Sequence, residues 1–242
     1  MSAPVTTSFD GPLARVYLNR PEKLNAFNEE LVEGLLAALN VAADNGTRLL
    51  VFEGEGKGFS GGFDLGGLEE MSEGDLLLRF VRVEQLLQAV YHAPFATLAL
   101  IHGPCYGAAA DLAVACHWRV AAPDARFRMP GLRFGIVLGT RRLANILGAD
   151  VARGLLLREK PFLADEALSS GFVQAIGERE GWPEIIDRKL ADAVALAPDT
   201  FAAMTGRTVV DTRDADMAAL VNSASRTPLK ERISEYLQSV RG

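Results

Sequence analysis

Hydrophobic and polar positions change period several times along the chain, and each change marks a predicted element. Residues 14–18 read as a strand that stops at Asn19-Arg20-Pro21. Residues 29–40 carry Leu31, Leu35 and Leu39 at helical spacing. A second strand, 49–53, runs into a glycine-rich stretch over 54–67. Residues 76–91 repeat a helical pattern through Phe80, Val83, Leu87 and Val90 until Pro94 stops it. A buried strand follows at 97–101, and short strands recur at 118–121, 125–128 and 173–176. Helices are predicted around 142–147, 152–157 and 164–169. From Pro183 onward only helical patterns remain, ending in 230–240. This is an α/β chain: strands alternate with helices and an all-helical tail follows. There is no low-complexity segment, linker or self-similar repeat.

Composition narrows the class. The 242 residues are 49% hydrophobic and 23% charged, which suits one large domain or a domain with an appendage. A net charge of -6 and a pI near 5.2 argue against a nucleic-acid partner, which leaves a basic footprint. No apolar run reaches the roughly 18 residues of a membrane span. The first seven residues lack the basic and apolar regions of a signal peptide. Cys105 and Cys116 form no CxxC pair, and His92, His102 and His117 are too scattered for a metal site. The two thiols therefore read as ordinary core or lining groups in a reducing cytosol, giving a cytoplasmic expectation with no metal.

The candidate chemistry lies in two small-residue segments about forty-five residues apart. The first is Phe59-Ser60-Gly61-Gly62-Phe63-Asp64. The second is His102-Gly103-Pro104-Cys105-Tyr106-Gly107-Ala108-Ala109-Ala110-Asp111. Small residues let a ligand approach the backbone closely. The apolar run after the second segment places the Ala108 N–H in a helix's first turn, unpaired and backed by the helix dipole. Two such donors aimed at one developing negative oxygen form an oxyanion hole. No GxGxxG turn leads into a helix, so nicotinamide and flavin are not expected.

Six stretches together resemble the crotonase (enoyl-CoA hydratase/isomerase) superfamily. They are Leu18-Asn19-Arg20-Pro21-Glu22-Lys23-Leu24-Asn25-Ala26-Phe27, then 59–65, 103–113, 119–127, 163–173 and 230–237. They occur in order and cover nearly the whole chain. The resemblance implies a spiral of β-β-α units over residues 1–182 and a C-terminal helical region, 183–242, that packs at a trimer interface. It implies an acyl-CoA thioester as substrate, no other cofactor, no membrane partner, and a homotrimer or a hexamer of two trimers. Apolar residues from Ile185 to Leu237 in the tail are expected to need a partner surface.

Carried onto this chain, the resemblance makes the N–H groups of Phe63 and Ala108 the oxyanion donors, with Gly62, Asp64, Leu65 and Gly107 beside them. Lys23, Leu24 and Ala26 line the path of coenzyme A, Lys23 near its phosphates. The Phe63 ring has two readings, core packing or a place beside the thioester. Tyr106 likewise either lines the acyl pocket or packs with its hydroxyl satisfied. Asp64 is expected to shape its turn. The tail 238–242 lacks the lysine-rich end common in the family, so no contact is assigned there.

The catalytic pattern departs from the family. Its hydratases use two glutamates. The first falls on Asp111, three residues after Ala108 and on the same helical face. The second falls after Pro130, where this chain has Gly131, and no carboxylate lies between Asp124 and Asp150. Arg128 and Arg133 flank that position, facing either a polar acyl group or solvent. Glu69, Glu70 and Glu84 fit a solvated helical face, and His117 reads as structural. One carboxylate favours isomerisation, a proton moved within an enolate. Hydration and a non-catalytic acyl-CoA binder are the alternatives.

Overall fold

The computed structural model describes residues 3–226 and 228–240. Among these described residues, nine strands and ten α-helices follow one another as β1 (Val5–Asp10), β2 (Leu13–Leu18), α1 (Glu29–Asp44), β3 (Leu49–Gly54), α2 (Glu73–Tyr91), β4 (Ala96–Ile101), β5 (Pro104–Tyr106), α3 (Ala108–Ala115), β6 (Trp118–Ala121) and β7 (Arg126–Arg128). Then come α4 (Thr140–Leu147), α5 (Ala149–Leu156), β8 (Phe162–Leu163), α6 (Ala164–Ser169), β9 (Ala175–Ile176), α7 (Trp182–Val194), α8 (Pro198–Thr208), α9 (Arg213–Ala224) and α10 (Leu229–Ser239). The expected mixed α/β architecture with C-terminal helices is present.

Six strands form one sheet in the order β1-β2-β3-β4-β6-β9, antiparallel at β1/β2 and parallel elsewhere. In β2, Ala14, Val16 and Leu18 are buried while Leu13, Arg15 and Tyr17 are partly exposed, the period-2 signature of a strand covered on one face. Central strands β3 and β4 are buried at every position, because helices cover both faces of a parallel sheet. Helix α1 buries Leu31, Leu35, Ala38, Leu39 and Ala42, and the Asn28 side chain caps its start by accepting from the Leu31 N–H at 3.0 Å. Helix α2 begins in a capping box between Ser72 and Asp75, three residues before the apolar run that announces it.

Strand β1 has no counterpart in the sequence expectation. Its residues, Val-Thr-Thr-Ser-Phe-Asp, are exposed after the first, so the edge strand carries no apolar alternation to detect. In the smaller sheet, β5-β7-β8, the strand expected at 125–128 is present as β7, while β5 and β8 hide because they are only three and two residues long. This sheet lies against the second small-residue segment and orients it.

Part of the tail's apolar surface is spent within its own chain, while Val194 stays 44% exposed. Trp182, Ile186, Ala193 and Phe201 cover one face of the main sheet together with Leu49, Val51, Leu98 and Leu100. Leu220, Ala224, Leu229 and Ile233 close a separate core with Leu68, Leu76, Phe80, Phe134 and Ile136. Ile186, Leu220 and Ile233 are therefore buried within one chain and leave no surface for a partner.

Candidate active site

The two small-residue segments lie side by side. Ser60 and Cys105 form a parallel bridge: the Ser60 N–H donates to the Pro104 carbonyl and the Tyr106 N–H to the Ser60 carbonyl, each at 3.0 Å. A second bridge joins Phe27 to Phe63, using the Gly62 carbonyl and the Asp64 N–H. In such a parallel bridge the Phe63 N–H points the other way. Gly62 lies between the segments with φ +87°, and an added Cβ would stand 2.2 Å from the Tyr106 carbonyl oxygen and 3.5 Å from the Ala108 nitrogen. Only glycine permits this approach. Ala108 opens α3, where its N–H is one of the first-turn donors without an intrahelical acceptor. The preceding residue is fixed by a 2.7 Å bond from the Gly107 N–H to the Arg128 carbonyl.

Phe63 and Ala108 both line a cavity of about 220 Å³. Phe63, Leu65, Tyr106, Gly107, Ala108, Asp111 and Gly131 all line it, so most of the expected site converges. The Phe63 ring stacks on Phe80, with centroids 4.1 Å apart and planes at 8°, and takes the Arg79 guanidinium 4.5 Å from its centre. It thus packs and lines the cavity at once. Tyr236, Leu237 and Val240 close the far side, a contribution from the last helix that the sequence did not signal.

Lys23, Leu24 and Ala26 sit on a neighbouring loop. Leu24 touches the site through its carbonyl, which accepts the Gly61 N–H at 2.7 Å, while Lys23 is exposed. That loop hangs on Asn25, a residue the sequence reading passed over. Asn25 is fully buried with φ 51°, a left-handed conformation that asparagine tolerates better than most residues. Its Nδ2 donates to the Glu55, Gly58 and Phe59 carbonyls at 2.8, 3.1 and 3.1 Å, and its Oδ1 accepts the Arg20 N–H at 2.8 Å. Asp64 turns from the cavity and is occupied by the Gly66 N–H and by Arg20, each at 2.9 Å. Burial pushes its pKa up, but those two donors win and hold it below the usual carboxylate range.

Asp111 is buried, and its Oδ1 has no hydrogen-bond partner among the described residues. Burial raises its pKa well above the ordinary value; Arg142 opposes the rise and Glu84 adds to it. Gly139, with φ +63°, leaves room for the carboxylate, since a Cβ there would stand 2.2 Å from Oδ1. Glu84 corrects the expectation of a solvated face. It is 1% exposed and accepts from Arg142 Nη2 at 2.9 Å, with Asp216 4.0 Å from the same nitrogen. Neither Glu84 nor Arg142 stood out in the sequence, because each reads as one charge on a mostly polar helix face. Arg128 also departs from the solvent reading, for it lines the cavity; Arg133 instead pairs with Glu159 at 3.2 Å. His117 bonds Thr97 Oγ1 at 2.9 Å, and burial pushes its pKa down to about 4, so it is a neutral structural group. No cluster of metal-ligating side chains occurs among the described residues.

The family model for enoyl-CoA hydratase/isomerase matches residues 9–236 of this chain. The chain belongs to that family. A Bordetella parapertussis crystal structure, assigned by name to the enoyl-CoA hydratase/isomerases, superposes with a TM-score of 0.96 at 47% identity, covering 98% of this chain and 99% of that one. An enoyl-CoA hydratase/isomerase from Xanthobacter autotrophicus Py2 gives 0.85 at 26% identity over 99% and 94% of the two chains. Among curated relatives, Mycobacterium tuberculosis "Probable enoyl-CoA hydratase echA6" is 35% identical over 72% of each chain. Human mitochondrial Delta(3,5)-Delta(2,4)-dienoyl-CoA isomerase is 30% identical over 70% of this chain and 57% of its own length. The family comprises lyases and isomerases, and no helix of the described residues is long and apolar enough to cross a membrane.

Proposed function

We propose that this family member binds a short acyl-CoA thioester and moves its double bond, with Asp111 as the single proton-transferring group. The observation that carries the reading is Asp111 itself, a buried carboxyl on the cavity that Phe63 and Ala108 also line. The thioester oxygen accepts from the N–H groups of those two residues. Asp111 removes a proton from the α-carbon of a β,γ-unsaturated acyl group. The C–H electron pair delocalises into the carbonyl as a dienolate, whose negative oxygen the two donors stabilise. Asp111 then returns the same proton to the γ-carbon, leaving the α,β-unsaturated product and a regenerated carboxylate. A raised pKa suits this exchange, because a shuttle works best when its pKa approaches the working pH. Leu24 and Ala26 guide the pantetheine, Lys23 serves the phosphates, and no metal or redox group takes part. A homotrimer is part of the same proposal.

Hydration asks for a second acid or base, and the position after Pro130 is Gly131. Loss of one such group costs about 10²–10⁴ in rate. The test follows 3-hexenoyl-CoA and 2-hexenoyl-CoA side by side. Isomerisation should exceed hydration by about 100-fold or more, and Asp111→Ala should abolish it. Hydration of 2-hexenoyl-CoA at a rate matching isomerisation overturns the reading. Binding of both compounds without turnover would favour a non-catalytic acyl-CoA binder.

A further inference from the structure

Arg128 gives the cavity a second pole. It ends β7, in register with Tyr106 of β5, so its backbone is tied to the segment that presents Ala108. Its side chain lines the same cavity, and its Nε is buried without a hydrogen-bond partner among the described residues. Its guanidinium lies 6.0 Å from the centre of the Tyr236 ring, a contact at the outer limit of cation–π attraction that leaves the charge unneutralised. No ion pair to Arg128 occurs among the described residues. Among the described residues, Asp111 is the only other charged member of the lining, and the charges that act on it are Arg142 and Glu84. The remaining lining is largely apolar, including Leu65, Met129, Leu132, Leu156 and Leu237.

One buried N–H without an acceptor, on a cation with no ion pair among the described residues in a largely apolar cavity, calls for an anion. The guanidinium fork matches a carboxylate in two parallel hydrogen bonds. At about 30 Å³ per water-sized group, 220 Å³ holds about seven such groups, enough for a short acyl chain and a terminal carboxylate. Resting on the acyl-CoA reading above, we infer that the substrates are short acyl-CoA thioesters whose acyl chain ends in a carboxylate, the monothioesters of dicarboxylic acids. Arg128 is the specificity residue that binds the distal carboxylate.

Isothermal titration with two saturated five-carbon probes tests this apart from turnover. Glutaryl-CoA carries the distal carboxylate and pentanoyl-CoA does not. Glutaryl-CoA should bind native protein about 10- to 100-fold tighter, the range of a charge-assisted hydrogen bond. Arg128→Met should erase that preference while pentanoyl-CoA keeps its affinity within about threefold, which also reports that the cavity remains folded. Arg128→Lys should retain part of the preference, keeping the charge without the fork. Equal affinity for the two probes, or a preference that survives Arg128→Met, overturns the inference and leaves the acyl-CoA reading standing. If neither probe binds, both readings fall.

Discussion

A side chain in this site does its work through what surrounds it, and Asp111 is the plainest case. Its carboxyl is buried, so desolvation disfavours the charged form; Arg142 pulls the other way and Glu84 adds to the rise. The signs can be separated. Glu84→Gln keeps an acceptor for Arg142 but removes a negative charge near Asp111, so the Asp111 pKa should fall. If Asp111 acts as the base, activity rises with pH as it ionises. The acid limb of kcat/KM should then lie above the ordinary carboxylate range in the native protein and move to lower pH in the variant. A limb that stays in place would detach Glu84 from the titration. Arg142→Met is the harsher change: it leaves Glu84 buried without its cation and with only Gln88 donating to it, and breaking a buried ion pair typically costs about 3–5 kcal/mol of stability. Gly131 offers the reverse experiment. A Cβ there would stand 3.3 Å from the Ile136 carbonyl oxygen, a contact a small shift relieves. Gly131→Glu should therefore fold, and raise the ratio of hydration to isomerisation by about tenfold or more if its carboxylate enters the cavity.

At the scale of elements, His117 ties the main sheet to the C-terminal helices. It precedes β6, bonds Thr97 of β4 and packs 5.6 Å from the Phe201 ring of α8. Its pKa falls from 6.5 to about 4 on burial, so the unfolded chain takes up a proton that the folded chain refuses. The stability it contributes is present above about pH 6.5 and lost as pH falls toward about 4. By pH 5 the loss is about 2 kcal/mol relative to pH 8. Urea unfolding at those two pH values should show a smaller acid loss for His117→Gln than for the native chain. Asp111 works with the opposite sign, its raised pKa adding stability at low pH that fades as pH rises, so the comparison between variant and native is the readout. The elements themselves were legible where burial imposes a period. Strands β2, β3 and β4 and helices α1 and α2 announce themselves because one face or both must be apolar. Strands β1, β5 and β8 do not, since exposed strands or strands of two or three residues impose no pattern. The close approach of the two small-residue segments was legible from glycine and alanine placement, for close approach restricts residue type. Asn25, Glu84 and Arg142 were not, because their roles depend on which distant atoms the fold brings to them.

For the whole molecule, the question is how much of it one chain completes. The cavity beside Asp111 draws its described lining from one chain: α10 supplies Tyr236 and Leu237 alongside Ala108 and Asp111. The C-terminal helices likewise spend Ile186, Leu220 and Ile233 on internal cores. Assembly must then rest on apolar side chains that remain outside. Leu157 is 74% exposed and Leu163 53%, flanked by Val151 and Leu168 along the α5–β8–α6 stretch. Such residues scattered singly need no explanation, but four within eighteen positions offer a surface that association would cover. The expected assembly is a trimer, so light scattering at micromolar concentration should return three times the 26.0 kDa of one chain. Leu157→Glu with Leu163→Glu changes only exposed positions and should leave the fold intact while lowering the mass toward a single chain. Because the described lining comes from one chain, the dissociated variant should still bind pentanoyl-CoA. A native mass of one chain removes the trimer, and a trimer that survives both substitutions moves its interface away from this stretch.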